Sequence, residues 1–349
     1  MPILLLLLFF IPPLSAQERF RVMSYNVENL FDTADNPVKE DGEFLPSSVR
    51  HWTPGRYYRK LQQLAKVINA AGEWETPALI GLCEVENDST LIHLLSRTPL
   101  RQQGYRYCVT QSPDKRGINV ALLYQRDRFR LLGQFAHPIR YSRKEHKQSR
   151  ELLHVWGQLL SGDTLDIFVC HFPSRYGGEK KSETDRADAA RTLRGVCDSL
   201  HQQRNNAQII IMGDFNDLPS DISLCEVLAA QPMMRHSPTK SDTTTSFTEK
   251  PPLLLYNLFA DPKLTGREGS HKYQGEWSQL DQLIVSSNLL RHNAPFQLKE
   301  GSAHIFAPDF LLIKDKTWRG TRPFRTYYGF KYEGGYSDHL PILVDFISR

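Results

Sequence analysis

The sequence predicts an α/β fold in which mixed β-sheets are layered with helices. Apolar runs of strand length, rich in Val, Ile and Leu and bounded by polar or turn residues, recur along the chain. Stretches with helical spacing fall between them. The two kinds alternate without a strict strand–helix–strand rhythm, and several strands follow one another directly. That pattern argues against a doubly wound parallel sheet.

The first strand-like run is Phe20 to Tyr25. Arg56 to Ala71 follows as a helix, with Leu61, Leu64, Ala65 and Ile68 at helical spacing and Pro54 close to its start. Ala78 to Cys83, Asn119 to Tyr124, Leu152 to Leu160 and Leu165 to Cys170 read as strands. Asp185 to Gln203 repeats the helical spacing through Ala189, Leu193, Val196 and Leu200, and the strand Gln208 to Met212 comes next. Ser220 to Ala230 is a shorter helix candidate, and the polar stretch Pro232 to Lys250 a long surface insertion. Gln282 to Val285 and Pro341 to Phe346 are the last strands. With no internal repeat and no Gly/Ser linker, residues 18–349 are expected to form one domain.

A chain of 349 residues that is 40% hydrophobic and 23% charged can bury a sizeable core, which excludes a disordered chain. The net charge of +4 permits a polyanionic partner without demanding one. Ile3 to Ile11 is an unbroken apolar run, far short of the roughly 20 residues a membrane span needs. Small residues follow it, so residues 1–16 read as a secretory signal peptide cleaved after Ala16. The run departs from that pattern in one respect, having no Lys or Arg before it. The expectation is an exported protein, periplasmic or extracellular, monomeric and without stable membrane insertion. Cys83 and Cys170 sit inside apolar runs and read as core residues; a disulfide among Cys108, Cys197 and Cys225 stays open.

Side chains able to do chemistry stand where apolar runs begin or end. The first run finishes in Ser24-Tyr25-Asn26-Val27-Glu28-Asn29. Ala78 to Cys83 delivers Glu84, with Glu86 and Asn87 beyond it. Leu165 to Cys170 delivers His171, then Ser174 and Arg175. Gln208 to Met212 delivers Gly213-Asp214-Phe215-Asn216-Asp217. Leu280-Asp281-Gln282 and Ser337-Asp338-His339 place acids at or just before the starts of later runs. Strand ends on one side of a sheet converge on a common cleft. Each element alone has a structural explanation as a turn or a satisfied polar residue; six together point to a catalytic centre.

In order and spacing these motifs resemble those of the endonuclease/exonuclease/phosphatase superfamily, over Phe20 to Phe346. The resemblance implies a four-layer α/β/β/α sandwich with two mixed sheets packed face to face. It also implies a metal-dependent phosphoester hydrolase using Mg²⁺ or Mn²⁺. Glu84 matches the principal metal ligand and Asn26 its neighbour, while Asp338 completes the metal site directly or through water. His339 matches the invariant histidine and Asp281 the acid that orients it. Asp214 and Asn216 match the pair that positions the attacking water, and His171 a second histidine that can protonate the leaving oxygen. Which residue is the base stays open. Arg175 is placed to grip a phosphate and Asn119 to line the cleft; Glu28 is either a second ligand or a satisfied polar residue.

Two basic stretches suit a polyanion: Arg140 to Arg150, and Lys316 to Lys331, where arginines mix with Trp318, Phe324, Tyr327 and Tyr328. The leading expectation is therefore a nuclease acting on DNA or RNA. The rivals are a phosphatase or phospholipid phosphodiesterase on the same core, with Trp277 or the Trp318 cluster as membrane-facing aromatics, and a binding protein that has lost the chemistry.

Overall fold

The computed structural model describes residues 18–143, 149–175, 178–233 and 250–348. The expected signal segment, most of the polar insertion and part of the first basic stretch lie outside the described residues.

In chain order the first half comprises β1 (Glu18–Leu30), α1 (Pro54–Gly72), β2 (Leu79–Val85), α2 (Asp88–Ser96), β3 (Tyr105–Val109) and β4 (Asn119–Gln125). Then come β5 (Phe129–His137), β6 (Leu152–Leu159), β7 (Thr164–His171), α3 (Glu179–Gln203) and β8 (Gln208–Asp214). Short strands β9 (Ala230–Pro232) and β10 (Leu255–Asn257) precede the turn-length helix α4 (Pro262–Thr265). The hairpin β11 (His271–Tyr273) and β12 (Glu276–Ser278) leads into β13 (Asp281–Ser286). β14 (Phe296–Leu298), β15 (His304–Ile305), β16 (Leu312–Lys314), β17 (Thr321–Pro323), β18 (Tyr327–Tyr328) and β19 (Lys331–Tyr332) are short, and β20 (Ile342–Ser348) closes the fold.

Two seven-stranded mixed sheets form, in the orders β14-β20-β1-β2-β4-β3, with β15 also on β20, and β5-β6-β7-β8-β13-β10-β9. They pack face to face. At Gly81 the approach is so close that a Cβ would stand 2.8 Å from Met212 Sδ of the other sheet. β1 is buried from Phe20 to Glu28, as expected of a central strand covered on both faces. Helix α1 covers the first sheet through Leu61, Leu64, Ala65 and Ile68; Thr53 caps it by accepting from Arg56 N, and Pro54 opens it. Helix α3 covers the second sheet, packing Ala189, Leu193 and Cys197 on Phe168, Ile209 and Ile211. This is the expected four-layer sandwich.

One sequence reading is corrected, two elements went unread, and the open disulfide question is answered. Ser220 to Ala230 is not a regular helix but one π-type turn at Ser223–Val227, where Leu228 N donates to Ser223 O. α2 and β5 went unread: nine residues show too little helical period, and β5 lies at a sheet edge with only Phe129 fully buried. All five cysteines are free thiols, so no disulfide joins Cys108, Cys197 and Cys225. Among the described residues no helix is long and apolar enough to cross a membrane.

Candidate active site

Strand register gathers the site. His171 ends β7 opposite Asp214 at the end of β8, and Asp214 lies opposite Asp281 at the start of β13. Three neighbouring strands thus carry three functional groups side by side. From the facing sheet, Asn26 pairs with Cys83, and the ladder breaks just beyond, so that Glu84 leaves the β1–β2 register. Bulges of this kind re-aim a side chain. The backbone is correspondingly unusual: Glu28, Asn29, Glu84 and Asn216 all have positive φ, between 49° and 66°. Such conformations cost about 1–3 kcal/mol each and cluster at functional sites. Gly213 is required for a related reason. Its φ is 140°, and a Cβ there would lie 1.9 Å from Cys170 O on β7.

His339 Nδ1 lies 2.7 Å from Asp281 Oδ2, which also accepts from Ser270 Oγ at 2.5 Å. Ser337 Oγ donates to Asn26 O at 2.7 Å and accepts from His339 N at 3.1 Å, tying the turn before β20 to β1. His339 Nε2 is 3.8 Å from Asp214 Oδ2, and His171 Nε2 is 3.6 Å from the same oxygen. Asn26 Nδ2 bridges Asp214 Oδ2 at 3.0 Å and Glu84 Oε1 at 3.4 Å. Glu84 Oε2 accepts from Asn29 N at 2.8 Å, and Asn216 N donates to Asp214 Oδ1 at 2.9 Å.

Asn26, Glu84, His171, Asp214, Asp281 and His339 are therefore brought together, with Asn216 beside them. Three other expected residues stand elsewhere in the network. Arg175 faces Asp217, Asp221 and Glu179 and donates to Asn216 O, so it braces the loop after β8 instead of presenting a free guanidinium. Asn119 donates to Glu86 O and accepts from Ser112 N, a buried brace. Asp338 pairs with Arg325 at 2.7 Å. Glu28 accepts from Thr326 N at 2.6 Å and Tyr327 N at 3.3 Å, faces Arg325 and Lys60, and so clamps the second basic stretch to β1.

Several residues went unread in the sequence. Arg150 Nη1 lies 2.8 Å from His171 Nε2, and Arg116 donates to Asn29 Oδ1, so two guanidiniums flank the cleft. His271 of β11 packs against His339, the ring centroids 4.6 Å apart and the planes tilted by 38°. Arg150 was read only as the end of a basic stretch, and of the others Lys60 left a signal, a lysine four residues before Leu64 on the apolar face of α1.

The charges are unevenly balanced. Burial opposes a charge on His339, but Asp281 and Asp214 outweigh it and hold the imidazole well above its ordinary value. Burial, with Asp281 alongside, pushes Asp214 up to about 7 against the pull of His339. Burial, then Arg150 and Arg116, drives His171 well below its ordinary value, and burial beside His339 lowers His271 to about 4. Although burial works against its ionisation, Arg325 holds Asp338 well below the usual carboxylate range. The buried carboxylate of Asp214, disfavoured as an anion, marks a place where a cation would relieve the charge. Carboxylate oxygens are donors for a hard divalent ion, so Glu84 with Asp214 fits one. Asn26 turns its NH₂ to both, while its Oδ1 accepts from Glu28 N at 3.0 Å. His271, Asp338 and His339 also set one ligand atom each within 4.8 Å of one another. Two imidazoles with a carboxylate already paired to Arg325 make a set less suited to magnesium.

A two-sheet sandwich that gathers a bulge glutamate, an Asp–His pair and an Asp-x-Asn turn at one edge has the form of a phosphoester hydrolase. Residues 21–348 match the Endonuclease/Exonuclease/phosphatase family, and the chain belongs to it. Members of that family are phosphoester hydrolases and generally depend on a divalent metal. The fold is similar to the human Nocturnin catalytic domain with a bound sulfate anion, with TM-score 0.53 and 17% identity over 95% of this chain and 98% of that one. It is also similar to a mannosyl-6-phosphatase from Bacteroides thetaiotaomicron, with TM-score 0.54 and 16% identity over 94% and 99%. A third is D. rerio TDP2 complexed with a single-strand DNA product, with TM-score 0.52 and 14% identity over 94% and 98%. At these identities the likeness shows the fold alone. No curated protein matches the chain in sequence.

Proposed function

We propose that the chain is an exported phosphodiesterase that hydrolyses DNA or RNA with magnesium or manganese as its ion. The observation that carries the chemistry is the pairing of Asp214 and His339 across 3.8 Å, beside Glu84. On this reading Asp214, with a value near 7, takes the proton of the attacking water, while Asn216 N holds its other oxygen in place. His339, kept protonated by Asp281 through Nδ1, directs its one free N–H, on Nε2, to the leaving oxygen and gives it that proton. His171, kept neutral beside Arg150, serves as a hydrogen-bonding group on the phosphate, in place of the proton-donating role its motif implies. A bound ion held by Glu84 would neutralise charge developing on the phosphoryl group.

The choice of a diester rests on what flanks the site. One cavity of about 170 Å³ is bordered by Glu28, Asn29, Arg50 and Arg325, and another of about 350 Å³ by Arg325, Asp338, Trp318 and Tyr328. Space on both sides of Arg325 suits a phosphate with two substituents. Incubation of the chain from Gln17 onward with plasmid DNA and RNA, in Mg²⁺, Mn²⁺ or EDTA, tests this. Cleavage that needs the metal is expected; intact DNA and RNA under every condition would reject the nuclease reading.

A further inference from the structure

We infer that the groove between the β11–β12 hairpin and the segment from Asp315 to Tyr328 stacks an unpaired nucleobase next to the phosphate being cleaved. This rests on the nuclease reading above and names the residues that would select its substrate.

The groove is a built feature. Lys272 Nζ crosses it, donating to Asp315 Oδ2 at 3.2 Å, Arg319 O at 2.8 Å and Thr321 O at 3.0 Å. At the hairpin tip Gly275, with φ 91°, presses so near Trp318 that a Cβ would stand 3.2 Å from the indole's own Cβ. Trp318 N is in turn fixed by Asp315 Oδ1 at 2.9 Å.

Three rings remain open to solvent on these walls: Tyr273 is 67% exposed, Trp318 43% and Tyr328 39%. Neither Tyr273 nor Trp318 stacks on another ring among the described residues, whereas Arg322 covers one face of Tyr328 at 4.7 Å. The inner end of the groove is Asp338, next in sequence to His339, and His271 at the root of the hairpin lies in tilted ring contact with His339. A planar group held here is therefore adjacent to the reacting phosphate. The second basic stretch also exposes Lys316, Arg319 and Lys331.

Exposed rings alternating with cations match the alternation of base and phosphate in a single strand, and a duplex would hide its base faces. A lipid surface fits less well, because the hairpin tip is Gln274-Gly275 and not an apolar wedge.

The test uses the full chain from Gln17 carrying His339→Ala, so that bound strands stay intact. Anisotropy of a dye-labelled ten-nucleotide oligothymidylate in Mg²⁺ is compared with that of an abasic oligomer of equal length. Tyr273→Ala and Trp318→Ala are each expected to weaken oligothymidylate binding roughly tenfold, the scale of one stacked base. The abasic oligomer should bind the parent chain as weakly as oligothymidylate binds the variants. Melting temperatures check the fold, and Tyr273→Ala, altering the more exposed ring, carries the comparison should Trp318→Ala unfold. Equal binding of both oligomers by the parent, or unchanged affinity in folded variants, would overturn the inference. So would loss of binding to sphingomyelin–phosphatidylcholine vesicles with oligomer binding intact, which would assign the groove to lipid. The wild-type chain separates the two levels: failure to cleave any nucleic acid ends the nuclease reading, whereas cleavage without base-dependent binding ends only this one.

Discussion

His339 and Asp214 depart from their ordinary values in the same direction but with opposite consequences for charge: one stays protonated as a cation, the other is reluctant to ionise. On the proposed mechanism the base needs Asp214 deprotonated and the acid needs His339 protonated. At sub-saturating metal, kcat/KM on a diester should therefore rise with pH through about 7 and fall only above the raised value of His339. A cation in the cleft favours the Asp214 anion, so raising the metal concentration should move the lower limb to more acid pH. A limb that ignores metal concentration would contradict the assignment of Asp214 as base. Asp281→Asn removes the carboxylate that sustains the imidazolium, and a loss of about 10²–10⁴ in rate is expected. Glu84, Asp214 and His339 were legible in the sequence because each stands at or beside the end of an apolar run. Arg116 was not, and Arg150 was read only as the end of a basic stretch, since an arginine in a loop looks the same whether it faces solvent or a histidine. The pairing of Asp338 with Arg325 likewise depends on a loop whose path no local pattern encodes.

Strands buried on both faces announce themselves as continuous apolar runs, and the long helices by period, so β1, β2, β4, β6 to β8, β13, β20, α1 and α3 could all be read. Short ribbons such as β16–β17 and β18–β19 could not, because two or three residues carry no period. Yet these ribbons shape the cleft, and a buried ionic clamp holds them: Glu28 on β1 receives Thr326 N and faces both Lys60 and Arg325. Glu28→Ala would leave the buried Lys60 ammonium without its carboxylate and Arg325 with Asp338 alone, at a cost of about 3–5 kcal/mol in urea unfolding. A change within 1 kcal/mol, on the order of a surface substitution, would show that the clamp is not structural. Gly213→Ala is expected to be worse than an ordinary core substitution. The added Cβ meets the Cys170 carbonyl at 1.9 Å and forces β7 and β8 apart directly beneath His171 and Asp214.

The pairing of two sheets, with helices on their outer faces, leaves β5 at an open edge, where His137 stacks at 5.6 Å on His154. Burial, with His154 beside it, lowers His137 to about 4. A histidine depressed in the folded state contributes stability above its unfolded value near 6.5, and that stability is lost as pH falls toward 4. The melting temperature should therefore drop across pH 6.5 to 4, and His137→Gln should flatten the drop. The export proposal makes its own prediction: protein expressed from Met1 in a bacterial host should be recovered outside the cytoplasm beginning at Gln17, and cytoplasmic protein retaining Met1 would refute it. The proposed phosphodiesterase activity belongs to one end of this sandwich, organised by Glu84 and the His339–Asp281 pair. Its most direct test is the turnover of bis-p-nitrophenyl phosphate by wild type, His339→Ala and Glu84→Gln, with Mg²⁺, Mn²⁺ or EDTA. Metal-dependent turnover by wild type is expected, with loss of at least about 10²-fold in His339→Ala and a higher metal requirement in Glu84→Gln. Turnover that survives EDTA, or that His339→Ala retains in full, would contradict it.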